Sequence, residues 1–179
     1  MPSKLAKVQK QVTRKKGTKI NSLHENSRDA RRLRKASNRD DRVARLNSTR
    51  EKANRQWLER VAFFQDRLPE TLNPLDMTSI KELIEEYLGR NSEEIEQLRA
   101  ERRPGRPAST RLTLLEQQTE QERKEYESGY WLPNLQDAET LQRLDAWNGS
   151  WIALSNLLFL RVDNHGGAKD SQFPPRGAS

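Results

Sequence analysis

The chain has 179 residues, a net charge of +7, and nearly equal parts of apolar and charged residues, 32% and 33%; this leaves room for one domain with tails and excludes a large hydrophobic core. The charge is segregated, with 19 Lys and Arg against 6 Asp and Glu in residues 1–60 and 14 against 20 in the rest. Cysteine is absent, which excludes disulfides, thiolate nucleophiles and Cys-ligated metals.

No apolar run approaches the roughly 18 residues of a membrane span, and none follows the N-terminal charges as a secretory signal would, so a soluble intracellular protein is expected. Every Trp, Tyr and Phe lies at or beyond Trp57. The preceding residues therefore cannot build an ordinary core by themselves and must borrow a surface or stay solvated.

Residues 1–26 carry Lys7, Lys10, Arg14, Lys15, Lys16 and Lys19 among small and polar residues. Without evident helical periodicity they read as a flexible basic arm. From Ser27 to Leu68 there is no Pro or Gly, and Asn26 or Ser27 can cap, which predicts one long helix over 27–68, roughly 60 Å at 1.5 Å per residue. Its first half carries Arg28 and is crowded with Arg31, Arg32, Arg34, Lys35, Arg39, Arg42 and Arg45. The second carries Leu46, Ala53, Trp57, Val61, Phe64 and Leu68 at three- and four-residue spacings, a face that should pack.

Pro69 and Pro74 stop that helix. A second is predicted over 79–89, with Ser79 and Glu82 as a capping box before Ile80, Leu83, Ile84, Tyr87 and Leu88. A third is expected over 91–102 behind Asn91. Arg102, Arg103 and Arg106 then lie in an exposed Pro- and Gly-broken basic loop. Further helices are expected over 109–127 from Ser109 or Thr110, over 137–147 from Asp137, and over 150–160, the last of which could instead hold a short strand. Gly129-Tyr130-Trp131-Leu132-Pro133 reads as an aromatic turn, and 163–179 as a disordered tail. The fold class expected is all-α, with a basic arm, one long helix and a small helical bundle over 27–162.

Closely spaced Lys and Arg release condensed counterions on meeting phosphates, so the basic segment points to nucleic acid. The plain alternative is a solvated helix face, which needs no such excess of cations. RNA is preferred over DNA because Arg-rich segments that order on binding suit folded RNA and no DNA-docking pattern appears. The aromatics sit at helical spacing and read as core, Trp57, Phe64, Tyr87, Trp147 and Trp151 among them. Pro104-Gly105-Arg106-Pro107 resembles the Gly-Arg-Pro core of an AT-hook but has Pro104 where the hook has a second arginine, so phosphate contact is the simpler reading. Only two histidines are present, His24 and His165, one in the arm and one in the tail; His24 reads as a cap or a partner contact. The paired glutamates lie at solvated helical spacing, and no Gly-rich phosphate loop appears, so no catalytic residue, metal or cofactor is expected.

Phe63-Phe64-Gln65, Glu82-Leu83-Ile84-Glu85-Glu86-Tyr87-Leu88-Gly89-Arg90 and Glu94-Ile95-Glu96-Gln97-Leu98 occur in that order. The Gly-Arg loop, Glu120-Gln121-Glu122-Arg123, Gly129-Tyr130, Leu135 and Trp147-Asn148-Gly149 follow. In order and spacing, from about His24 to Arg161, the chain resembles the translation machinery-associated protein 16 family, eukaryotic factors of large ribosomal subunit assembly. The resemblance implies a non-catalytic nuclear or nucleolar protein that binds precursor 60S particles, contacting large-subunit rRNA, ribosomal proteins and other assembly factors, with no membrane or small-molecule substrate. The alternatives are a chromatin or DNA-binding architectural protein using the same basic segment, and a protein-only coiled-coil adaptor.

Overall fold

The computed structural model describes residues 3–16, 23–69, 71–103, 105 and 107–175. The chain divides into two compact units, residues 1–55 and 56–179, where the sequence suggested a division after residue 26. In chain order the helices are α1 (Lys4–Lys16), α2 (Arg28–Asp66), α3 (Met77–Gly89), α4 (Ser92–Ala100), α5 (Thr110–Ser128) and α6 (Ala138–Asp145). The strands are β1 (Tyr130–Pro133), β2 (Phe159–Val162) and β3 (Ala168–Ser171), with a 3-10 helix at Ile152–Asn156.

The architecture is mostly helical, but the all-α expectation is corrected by an antiparallel sheet of order β1-β2-β3. Tyr130 pairs with Val162 and Pro133 with Phe159, while Phe159 also pairs with Ser171 and Val162 with Ala168. The expected aromatic turn is β1, and the helix expected over 150–160 is a 3-10 turn leading into β2. The stretch read as a disordered tail contributes β3. It is folded back by Asp163, whose carboxylate accepts from the amides of His165 and Gly167. Gly129, which ends α5, has φ 137° and would place a Cβ 3.2 Å from the Arg161 Cβ. Only glycine lets the chain turn from α5 into β1 there.

All four β1 residues are buried, so this strand reads as a continuous apolar run instead of an alternating one. The core of the second unit gathers Val61 and Phe64 of α2, Ile80, Ile84 and Tyr87 of α3, Leu141 and Leu144 of α6, and the inner residues of β1 and β2. Trp131 and Phe159 stack across the β1–β2 pair with ring centroids 4.2 Å apart. A satellite cluster of Ile95, Leu112 and Leu115 joins α4 to α5 and is flanked by the Arg99–Glu116 and Arg111–Glu94 ion pairs. Of the α2 face expected to pack, Trp57, Val61, Phe64 and Leu68 do so. Leu46 stays 49% exposed and Ala53 is exposed too.

The caps decide where the helices begin. Ser109 accepts from the Leu112 amide and Asp137 from the Thr140 amide, as their residue types predict. Asn91 stands at the α4 cap position without a side-chain cap bond. Helix α3 is capped by Asp76, which accepts from both the amide and the hydroxyl of Ser79. The Ser79–Glu82 box is thereby displaced by a stronger acceptor three residues earlier.

These bonds depress the carboxyl pKa values. The Ser79 hydroxyl holds Asp76 down, the Thr140 hydroxyl holds Asp137 down, and the Gly167 amide holds Asp163 down. The folded carboxyls titrate below their ordinary value of 3.8, so their stabilisation is complete above that value and is lost as pH falls through the folded values. The urea midpoint of the second unit, followed by Trp fluorescence, is expected to stay level between about pH 7 and 5 and to drop below about pH 4. Asn still caps a helix, so a triple Asp→Asn variant at these positions should lose much of that acid limb; an unchanged limb would assign the effect to other groups.

Candidate nucleic-acid interface

The first unit is built from α1 and α2 as far as Arg55, and the stretch read as a flexible arm is in large part the helix α1. Its weak periodicity lies in Leu5, Val8 and Val12, at i, i+3 and i+7. These pack with Leu23, Leu33 and Ala36 in a small cluster where Val8, Val12 and Ala36 are buried. Ser3 opens α1 by accepting from the Ala6 amide at 3.1 Å, and Ser27 opens α2 by accepting from the Ala30 amide. His24 shapes the turn before α2, its Nδ1 accepting from the Asn26 amide and its carbonyl from the Ser27 amide.

Two polar contacts fix the pairing. The Leu5 amide, unsatisfied within its own helix, donates to Asp40 at 2.8 Å, a carboxylate at a helix N-terminus where the dipole favours it. That bond holds the Asp40 carboxyl below its usual value. Arg32 donates to the Gln11 side chain at 2.7 Å. Leu5 with Asp40 and Gln11 with Arg32 set the two helices antiparallel, so α2 turns Leu33, Ala36 and Asp40 toward α1.

Other faces of α2 carry the cations. Arg28, Arg31, Lys35, Arg39 and Arg42 follow one another at three- or four-residue steps and are all exposed, a stripe of about 21 Å at 1.5 Å per residue. Arg34 lies off that stripe, donating to the Glu25 carbonyl. On α1, Lys7, Lys10, Arg14 and Lys15 are exposed, and Lys16 closes the helix. The unit thus brings together most of the basic residues singled out in the sequence.

Arg45, read in the crowded half of the long helix, is exposed as well, and Lys4, Arg50 and Lys52 are also exposed in this unit and were missed. The same charge excess could have flagged them. Arg102 and Arg103 are exposed but belong to the second unit, and Lys19 and Arg106 lie outside the described residues, as does Pro104 of the AT-hook-like sequence. From Asp41 to Ala53 every residue of α2 is exposed. Among the described residues no group of three or more His, Asp or Glu could hold a metal ion, and no helix is long and apolar enough to cross a membrane.

Fold and charged face together place the chain in the class of small, basic, mostly helical proteins with a cation-rich surface. The sequence profile of translation machinery-associated protein 16 matches residues 19–164. The chain belongs to that family. It is 32% identical over 166 residues to the translation machinery-associated protein 16 of Saccharomyces cerevisiae, covering 90% of this chain and 92% of the yeast protein. Against the protein of that name from Mus musculus it is 31% identical over 142 residues, covering 75% of this chain and 63% of the mouse protein. The Danio rerio protein is 31% identical over 134 residues, covering 71% and 68%.

Proposed function

We propose that this protein is a non-catalytic assembly factor of the large ribosomal subunit, acting in the nucleus and nucleolus, that binds precursor 60S particles through rRNA and ribosomal proteins. The observation that carries the reading is the stripe of Arg28, Arg31, Lys35, Arg39 and Arg42 on α2, held clear of the α1 contact and exposed along its length. Such a row meets consecutive phosphates without needing any particular sequence. The name shared by its relatives supplies the setting, association with the translation machinery. The predominantly acidic second unit is suited to the basic ribosomal proteins that surround rRNA.

Gradient fractionation of the tagged chain from cells, with sequencing of crosslinked RNA, tests the reading. Co-migration with precursor 60S particles and rRNA crosslinks at the first unit are expected, both reduced when the stripe is neutralised. Migration with chromatin and no rRNA crosslinks would instead favour duplex DNA on the same stripe. Partner binding that ignores neutralisation would favour a protein-only adaptor.

A further inference from the structure

The second unit holds a cleft that the charged stripe does not use. It encloses about 570 Å³ and is lined by Gln56, Trp57 and Arg60 of α2, Gln118, Gln121 and Lys124 of α5, and the Arg161 side of β2. This is the size range of sites that enclose a small planar ligand. Arg60 is only 4% exposed and sits over two aromatic rings, its guanidinium carbon 4.7 Å from the centre of Trp57 and 4.0 Å from that of Tyr130. Its two terminal nitrogens hold Glu125 at 2.8 Å each, while its Nε–H, buried beside the cleft, has no acceptor among the described residues.

The chemistry of this lining is selective. Glu122 and Glu125 border the cleft but are both neutralised, Glu122 by Arg90 at 2.7 Å on each oxygen and Glu125 by Arg60. With both glutamates and their arginines spent on each other, the charge left on the lining is that of Lys124 and Arg161. Lys124 on the rim is 68% exposed and bonded only loosely to Glu120, one turn away at 3.1 Å; a pair of this kind contributes little and yields readily to a phosphate. Three glutamine amides, of which Gln118 commits one N–H to Glu122 at 3.2 Å, offer donors and acceptors together, which matches the mixed edge of a nucleobase better than a carboxylate or a hydrocarbon. Trp57 is half-buried and stands edge-on to Trp131 at 5.3 Å, so its indole is held rigidly as part of the wall.

We infer that this cleft is a second RNA-binding site, which takes one unstacked nucleotide of single-stranded RNA, with the base among Trp57, Gln118 and Gln121 and the phosphate toward Lys124. The inference rests on the reading of the protein as an RNA binder but assigns the second unit a different share of the work. The stripe on α2 grips backbone of any shape, and the cleft requires a base that has left its stack.

The test uses the full chain, 15N-labelled, with two probes: a single-stranded oligouridylate of about seven nucleotides, and an RNA duplex of matched phosphate count. The single strand is expected to shift the Trp57 indole and the glutamine side-chain amides, and the duplex only signals of the first unit. In the double variant Gln56→Ala and Gln121→Ala, both at exposed positions, the dissociation constant for the single strand should rise about tenfold while that for the duplex stays within about twofold. Trp57→Phe, which keeps a ring in the wall, provides an independent variant with the same expected direction. Duplex binding with no response in the cleft overturns the site alone, and so does an equal loss for both probes. An acidic peptide that shifts the cleft signals more strongly than the oligonucleotide also overturns it, in favour of a protein ligand. Failure of the wild-type chain to bind either RNA overturns the site together with the RNA reading beneath it.

Discussion

Replacing Arg31, Lys35, Arg39 and Arg42 together by Gln is expected to weaken binding of the full chain to a structured rRNA fragment by roughly 10²–10³-fold near physiological salt. Each phosphate neutralised by a protein cation contributes about 0.9 to the slope of log affinity against log salt. Loss of four contacts should therefore flatten that slope by between 3 and 4, roughly. All four side chains are exposed, and Gln is a comparable helix former, so far-UV circular dichroism and the melting temperature should change little. A binding isotherm measured at several salt concentrations separates the cases. An affinity that falls while the slope stays fixed would mean that these residues touch something other than phosphate, and an unchanged affinity would remove the stripe from the interface.

The second large effect is on stability. Arg60→Leu should destabilise the second unit by about 3–5 kcal/mol, because it leaves the Glu125 carboxylate without its partner in a site with little access to water. The side chains of this pair are 5% and 11% exposed, and Glu125 also accepts from the Trp131 amide at 3.2 Å, tying the ion pair to the start of β1. Burial lowers the affinity of Arg60 for its proton, but the bond to Glu125 together with the attraction of Glu125, Tyr130 and Tyr87 more than offsets this and its pKa is raised. The guanidinium is therefore charged throughout the accessible pH range. The Arg67–Glu86 pair offers the contrast, with side chains 44% and 49% exposed; Arg67→Ala should cost under about 1 kcal/mol. Urea unfolding by Trp fluorescence measures both. Removing Arg60 and Glu125 together in favour of Met should recover part of the loss, and equal costs for the buried and exposed pairs would refute this account.

Part of this architecture was legible in the sequence, for identifiable reasons. Helix α3 repeats Ile80, Ile84, Tyr87 and Leu88 on one face, and all four are buried; a local period needs no knowledge of partners. Ser27, Ser109 and Asp137 announced their helices because a cap acts within three residues. The sheet was hidden because its strands are four residues long, and the strand that pairs with β1 lies some thirty residues away. Apolar residues buried on both faces give such a strand no alternation to read. Helix α1 was masked by its lysines, since an apolar ridge as narrow as Leu5, Val8 and Val12 becomes clear only once Leu33 and Ala36 stand opposite. Nothing local marks Glu122 as the buried partner of Arg90. Of the interface, the charge excess was readable, but its division into a stripe on α2 and a face turned to α1 was not.

The slight apolar cluster beneath α1 has a further consequence. Three buried residues, one of them an alanine, and three half-buried leucines give little hydrophobic return against the entropy of ordering a helix. Polyanion and helix pairing are then thermodynamically linked, each raising the population on which the other depends. A lesion at Val8 or Val12 will surface as weaker binding and a larger entropic penalty on association, leaving the main melting transition almost untouched. Selection on those two valines would act through occupancy of the partner, and the positions would look tolerant in any screen that scores folding alone.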